Sequence, residues 1–382
     1  MKIIFSINYI SRRNTGISSV VENLTINLHN EGHKIFIAAI EDEYSQIDKV
    51  KFSDAEILLI KGGTNLYKIF RLYLKFFINS NADIAHIHSL WSISSLAIFY
   101  WAYLTKKPYF ISPNGMMNEW ALNQSKLKKR LFLKAIFKKI INKAESIIIN
   151  SQAEKNYLMK NGWHTNFHVI PNGVNMPGLE MKVPKKNLAK KKLLFLSRIH
   201  KKKGIEILLD AWHDLFPITM QNNWELAIVG FMDIKKSGYE KYISDKITID
   251  PNLSNVIMSN GKFDGEMWEE YNSSDAFILP TFSEGSAMVV LNAWTTGKIC
   301  LTTVESNLEK GLDESCTILI ETNIESVKAG ILKLIHLNNN QLTENGHFGR
   351  KIIEDNYTWK KIVEQYIIIY EKSYISLSNN LS

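Results

Sequence analysis

The chain alternates short apolar runs, rich in Ile, Val and Phe, with longer stretches whose apolar positions recur every three or four residues. In the first half the runs predict strands over Lys2–Ile7, Lys34–Ile40, Glu56–Ile60, Asp83–His88, Tyr109–Ser112, Ser146–Asn150 and His168–Pro171. Their apolar content is continuous rather than alternating, as in parallel strands covered on both faces. Helical stretches lie between them. One is Ser18–Glu31, with Val20, Val21, Leu24, Ile26 and Leu28 at helical spacing and Gly32 placed to end it. The longest apolar stretch, Leu90 to Leu104, holds three serines and falls short of the ~20 residues that span a bilayer, so it reads as a core helix.

Periodicity lapses after Asn172–Gly173, in a segment with prolines and many lysines. The alternation then resumes, with strands predicted over Leu193–Ser197, Glu225–Val229, Asn255–Ser259, Ala276–Pro280, Ile299–Thr303 and Thr317–Ile320, and helices over Ile205–Phe216 and Ala287–Thr296. The expected fold class is α/β, with two Rossmann-like doubly wound parallel-sheet domains facing across a cleft. The expected division is residues 1–175, a linker over 176–190, a second domain over 191–357, and a final segment over 358–382.

Composition changes this picture little. A length of 382 residues suits two domains, and 45% hydrophobic with 22% charged residues is globular. The two cysteines show no metal-type spacing and are too few for a disulfide scaffold, which fits a reducing cytoplasm. The opening Met1–Asn8 reads as a buried strand rather than a signal peptide. The net charge of +8 is concentrated near residues 125–144, where lysines interleave with Leu127, Leu131, Ile136, Phe137 and Ile140. That segment reads either as a helix with a solvated basic face or as one resting on anionic lipid headgroups. No nucleic-acid-binding motif accompanies it.

Several chemistries lose their support. There is no Gly-x-Gly-x-x-Gly, no Walker loop, no Asp-x-Asp metal–diphosphate signature and no legible Ser-His-Asp site. Two segments remain. In L-F-L-S-R-I-H-K-K-K-G a strand is expected to end at Ser197, and Gly204 opens a helix. A diphosphate there would meet a helix N-terminus, the Arg198 guanidinium and the Lys203 ammonium; Lys201 and Lys202 read as solvated. In L-P-T-F-S-E-G-S-A-M, Glu284 can accept hydrogen bonds from two neighbouring sugar hydroxyls. Gly285 lets the backbone approach, and the amides of Ser286, Ala287 and Met288 can donate. Ser283 and Glu284 can equally cap the helix that follows.

Together these segments resemble the retaining glycosyltransferases of family 4, which have the GT-B fold, and the resemblance runs along essentially the whole chain. It implies that Arg198 and Lys203 neutralise the donor diphosphate and that Glu284 holds the transferred sugar. The family's Glu, seven residues, Glu pattern has Asn292 at its second position, where the ribose hydroxyls bind, and the amide lacks charge assistance. I-S-R-R-N-T-G resembles the loop that brings Gly16 beside the phosphates and acceptor. H-I-H-S-L-W ends a strand, with one histidine buried and His88 the one nearer the sugar side. I-S-P-N-G-M-M resembles the loop over the sugar, with Asn114 where many members have His or Arg. Y-T-W-K-K-I-V-E-Q-Y resembles the C-terminal helix that crosses back to the first domain.

The resemblance implies transfer from a nucleotide-diphosphate sugar to an acceptor hydroxyl with retention, needing no metal and no further cofactor. The acceptor implied is a lipid-linked saccharide at the cytoplasmic membrane face, in assembly of a surface polysaccharide such as O-antigen or capsule. Two rivals stand beside it: a GT-B sugar-nucleotide epimerase, and a non-catalytic partner that binds nucleotide sugars or lipids.

Overall fold

Seven strands in the first half of the chain and six in the second form two all-parallel sheets. The computed structural model describes residues 1–63, 65–117, 137–163, 166–176, 190–231 and 238–381. It divides into two units, Met1–Gly173 with Trp359–Ser382, and Val174–Thr358. The basic segment near 125–144 and the expected linker therefore lie largely outside the described residues.

In the first unit the strands are β1 (Lys2–Ser6), β2 (Lys34–Glu41), β3 (Ala55–Lys61), β4 (Ile84–Ile87), β5 (Tyr109–Ile111), β6 (Ser146–Ile149) and β7 (Phe167–Val169). Their order across the sheet is β3-β2-β1-β4-β5-β6-β7. The second unit has β8 (Lys191–Arg198), β9 (Trp224–Phe231), β10 (Val256–Asn260), β11 (Ala276–Leu279), β12 (Ile299–Thr302) and β13 (Thr317–Leu319), ordered β10-β9-β8-β11-β12-β13. Every expected strand is present, with ends displaced by two residues at most. Each sheet reverses its winding once, between β1 and β4 and between β8 and β11. Ligands of open α/β sheets bind beyond the strand ends at such points.

Numbering only helices of eight residues or more, the first unit has α1 (Thr15–Asn30), α2 (Leu66–Asn79), α3 (Ile93–Thr105) and α4 (Gln152–Lys160). The second has α5 (Ile205–Asp214), α6 (Tyr239–Ile249), α7 (Asp264–Ser273), α8 (Met288–Thr295), α9 (Ile324–Ile335) and α10 (Asn339–Asn356), and α11 (Trp359–Leu381) returns to the first unit. Successive side chains of a strand point to opposite faces, so β1 sends Ile4 to one core and Ile3 and Phe5 to the other. One face is covered by α2 and α3 through Tyr73, Phe77 and Trp101. The other is covered by α1 and α11 through Leu24, Leu28, Tyr366 and Tyr370. Gly32 ends α1's turn at φ +79°.

One expectation is corrected. The stretch read as a core helix is only half buried: α3 buries Ala97, Ile98 and Trp101 but leaves Tyr100, Tyr103 and Leu104 exposed. The sequence hides this, because no polar stripe marks the outward side and the helix's two serines, Ser94 and Ser95, are buried. Cys300 and Cys316 are buried and free.

Candidate functional site at the switch point of the second sheet

The loop after β8 and the loop after β11 lie side by side where the second sheet reverses. β8 ends at Arg198, whose side chain is exposed, and Lys201–Lys203 form a single 3-10 turn. His200 starts that turn, its Nδ1 accepting the Lys202 N–H at 3.1 Å. Gly204 ends it at φ +71° and opens α5. Only glycine fits there. A Cβ would lie 2.0 Å from the Pro280 carbonyl oxygen, so the missing side chain lets the two loops touch. The contact is sealed by the Phe282 N–H, which donates to Lys202 O at 2.9 Å.

This close approach brings the charges together. The Lys203 side chain is buried to 9% exposure and its ammonium donates to Glu284 Oε1; the Glu284 side chain is 13% exposed. The Thr281 hydroxyl lies 3.0 Å from the same Oε1 and 3.2 Å from Lys202 O, and can donate to one at a time. Both contacts use Oε1, and among the described residues no hydrogen bond goes to Oε2. The Glu284 backbone is pinned as well. Its N–H donates to Glu305 O at 2.9 Å, and its carbonyl accepts from Asn307 Nδ2 at 2.6 Å. A carboxylate held this way is preorganised rather than a mobile cap.

Lys202 is not the solvated lysine expected from sequence. Burial lowers its ammonium below the ordinary range, with Glu284 opposing and Lys203 and Arg198 adding to the shift. Of the three groups that act on this nitrogen, Lys203 and Glu284 are in direct contact. Thr281 and Asn307 went unnoticed in the sequence because hydroxyl and amide side chains in turns are common. The one signal for Thr281 was its place directly after the strand-breaking Pro280.

Downstream, the Ala287 N–H donates to Ser306 O at 2.9 Å, and α8 starts at Met288 without a side-chain cap. The Ser286 hydroxyl is buried with no hydrogen-bond partner among the described residues. Gly285 precedes it in the same turn. Asn292, on the second turn of α8, lies close to the hydroxyl of Tyr271 on α7, which donates to Val289 O at 3.0 Å. The sequence did not reveal this neighbour.

In the first unit the residues noted in the sequence are dispersed. Gly16 lies in the first turn of α1, with open space where a Cβ would be. His86 is buried and satisfied, with Nδ1 2.6 Å from the Tyr370 hydroxyl and Nε2 2.8 Å from the Ser112 hydroxyl. His88 is also fully buried, against Phe5 and His86, and neither ring nitrogen has a partner among the described residues. Burial holds its imidazole neutral, with a pKa lowered to about 3. His88, read from the sequence as the histidine nearer the sugar side, thus has its ring enclosed in the core. Its N–H still bonds Ser6 O at 2.8 Å, so it continues the ladder, and the period of two places it beside His86 under α11.

Asn114 adopts φ +49° and Gly115 φ +77°, a tight left-handed turn in which Asn114 Nδ2 donates to Ser112 O at 3.1 Å. The carboxylate of Glu154, on α4, accepts the Asn150 N–H on Oε2 at 3.3 Å, and its Oε1 is buried with no partner among the described residues. Burial raises the pKa of this carboxyl. Glu154 was missed. The Ser151-x-x-Glu154 spacing of a capping motif was its signal.

Residues 14–176 match the model of the family described as Glycosyltransferase Family 4, and residues 179–351 match that of Glycosyl transferases group 1. The first part of the chain is thus similar to the one family and the second part to the other. An uncharacterised glycosyltransferase of Methanocaldococcus jannaschii is 30% identical to it over 263 residues, 65% of this chain and 64% of that protein. Another, from Haemophilus influenzae, is 26% identical over 239 residues, 59% and 61% of the two chains. The chain thus spans less than two thirds of the length of these curated relatives. Among solved structures, sucrose-phosphate synthase of Thermosynechococcus elongatus has a TM-score of 0.75 at 16% identity, covering 98% of this chain and 100% of that one. HepE of Anabaena, solved with UDP and glucose, gives 0.76 at 14%, covering 96% and 98%. At these identities the likeness shows the fold alone, two Rossmann-like parallel-sheet units as in GT-B structures.

Proposed function

We propose that this protein is a glycosyltransferase that moves a sugar from a nucleotide-diphosphate donor to an acceptor hydroxyl with retention at the anomeric carbon. The observation that carries the reading is the meeting of Lys203 and Glu284 at the switch point, beside Arg198 and the start of α5. The leaving group of such a reaction is a diphosphate whose negative charge grows as the glycosidic bond breaks. The buried Lys203, the Arg198 guanidinium and a helix N-terminus oppose that charge, and such electrostatic stabilisation is usually the largest source of catalysis at a site of this kind. In this reading no metal is needed, because Arg198 and Lys203 supply the positive charge.

Glu284, whose Oε2 takes no hydrogen bond among the described residues, accepts the hydroxyls of the transferred sugar. Gly285 admits the sugar close to the backbone, and the Ser286 hydroxyl and the amides through Met288 donate to it. Asn292 contacts the ribose through its amide, a weaker hold than a carboxylate provides. Gly16, His88 and Asn114 belong to the acceptor-side unit, with His88 acting from inside the core by fixing the strand end. The acceptor proposed is a lipid-linked saccharide of a surface polysaccharide, built at the cytoplasmic face of the membrane. Among the described residues no helix is long and apolar enough to cross a membrane.

A thermal-shift screen of nucleotide sugars identifies the donor without knowledge of the acceptor. With that donor, Arg198→Ala and Lys203→Ala should each lower transfer about 10²-fold or more. Turnover near wild type in both variants, with folding intact, rejects the diphosphate assignment.

A further inference from the structure

The outer side of α2 and α3 is built unlike an ordinary solvated surface. α2 buries Ile69, Tyr73 and Phe77 and turns Tyr67, Lys68, Arg71, Leu72, Lys75 and Ile78 outward. These six line a shallow groove of about 510 Å³ along the helix. The surface continues onto α3, where Phe70 meets Tyr100 at 5.9 Å and Tyr100 stacks on Tyr103 at 6.2 Å. Tyr67, Tyr103 and Leu104 are exposed to 68%, 61% and 48%. Cations lie over the aromatic rings, Arg71 above Tyr67 at 5.9 Å and Lys106 above Tyr103 at 4.7 Å.

Charge along this stretch is one-sided. Residues 57–117 contain Lys61, Lys68, Arg71, Lys75, Lys106 and Lys107 against a single acid, Asp83. The Asp83 carboxylate accepts the Lys2 N–H at 2.8 Å, on the strand side of the unit. A surface that needs only water has no use for so many exposed tyrosines and leucines. A polyanion such as nucleic acid would use the cations and leave the aliphatic groups unemployed. Headgroups use both, since Lys and Arg stems lie along apolar surface with their charges outward and Tyr rings sit at the boundary of acyl chain and water.

We propose that the exposed face of α2 and α3 seats the protein on an anionic lipid bilayer. The face lies wholly within the first unit and involves none of Arg198, Lys203 or Glu284, so the proposal stands or falls independently of the transfer reaction. It also differs from a contact through the basic segment near 125–144, which is the alternative to be separated.

The test is sedimentation of the full chain with vesicles of phosphatidylcholine alone or mixed with phosphatidylglycerol. The protein should pellet with the mixed vesicles and be released as salt is raised, because screening weakens attraction to the surface. Lys68→Glu/Arg71→Glu/Lys75→Glu should lower binding about tenfold or more without lowering the melting temperature. Tyr67→Ser/Leu72→Ser/Ile78→Ser, equal in charge to wild type, should also weaken it, and Arg71→Glu alone serves if a triple variant fails to fold. Lys128→Glu/Lys129→Glu/Arg130→Glu should retain binding. The proposal is overturned if the wild type ignores anionic vesicles or if the α2 charge reversals bind as tightly as wild type. Full binding by the apolar variant overturns it too, since the face would then be a mere polyanion site.

Discussion

The two sheets reverse at equivalent places, β1/β4 and β8/β11, yet they handle polar side chains there in opposite ways. In the second unit the loops beyond β8 and β11 hold Arg198, Lys203 and Glu284 at the rim, and Gly204 lets the loops press together. In the first unit β4 and the residue after it carry two histidines that stay in the interior, one satisfied by Tyr370 and one whose ring has no partner among the described residues. The difference lies in what covers the strand end. α11 lies over the His86 side of the first sheet, whereas the charged groups of the second unit sit on turns that follow their strands. A polar residue near a strand end is therefore a ligand candidate only when no later element packs over it.

The sharpest break in this comparison is at Gly204. Gly204→Val would force a β-branched residue to φ +71° and into the Pro280 carbonyl, and should destabilise the second unit by about 4 kcal/mol. A thermal scan that matches wild type would show that the two loops do not need their close approach. Next comes the ion pair. Lys203→Met and Glu284→Gln should each cost about 3 kcal/mol, because each strands a largely buried partner, and the double variant should recover most of that loss in urea unfolding. Simple additivity of the two would mean that the pair is effectively solvated.

The first unit responds to pH instead. The folded pKa of His88, about 3, lies below the unfolded value near 6.5. The unfolded chain thus binds more protons in that window, and the stability present above pH 6.5 is lost as pH falls toward 3. His88→Phe should remove about 2 kcal/mol of the loss between pH 6.5 and 5, leaving the part due to His86 and the other histidines whose pKa burial lowers. An unchanged pH profile of melting would mean that the imidazole is charged or solvated in the folded protein. The smallest effect is expected at Asn292→Glu. It should tighten nucleotide-sugar binding by about tenfold or less, since the carboxylate adds charge assistance but breaks the contact with Tyr271. Calorimetry showing no change places the ribose elsewhere.

Much of this was legible in advance, for identifiable reasons. Continuous Ile, Val and Phe runs located every strand, because a strand buried on both faces leaves no room for polar alternation. Arg198, Lys203 and Glu284 were legible because they flank structural punctuation, the glycine at 204 and the proline at 280. Thr281, Asn307, Tyr271 and Glu154 were not, since each works through a partner distant in sequence or through a backbone N–H. The exposed side of α3 was also invisible, because no polar stripe marks it.

The sequence by itself determined two parallel α/β units, the strand positions and the basic and acidic loops that punctuate the second unit. Local apolar runs, glycines and prolines encode these within a few residues. Tertiary structure alone decided that Lys203 and Glu284 meet, that Lys202 is half-buried, and that His88 is shut inside. Those outcomes depend on which strand lies beside which and on where α11 returns, and both are set by contacts between residues far apart in the chain.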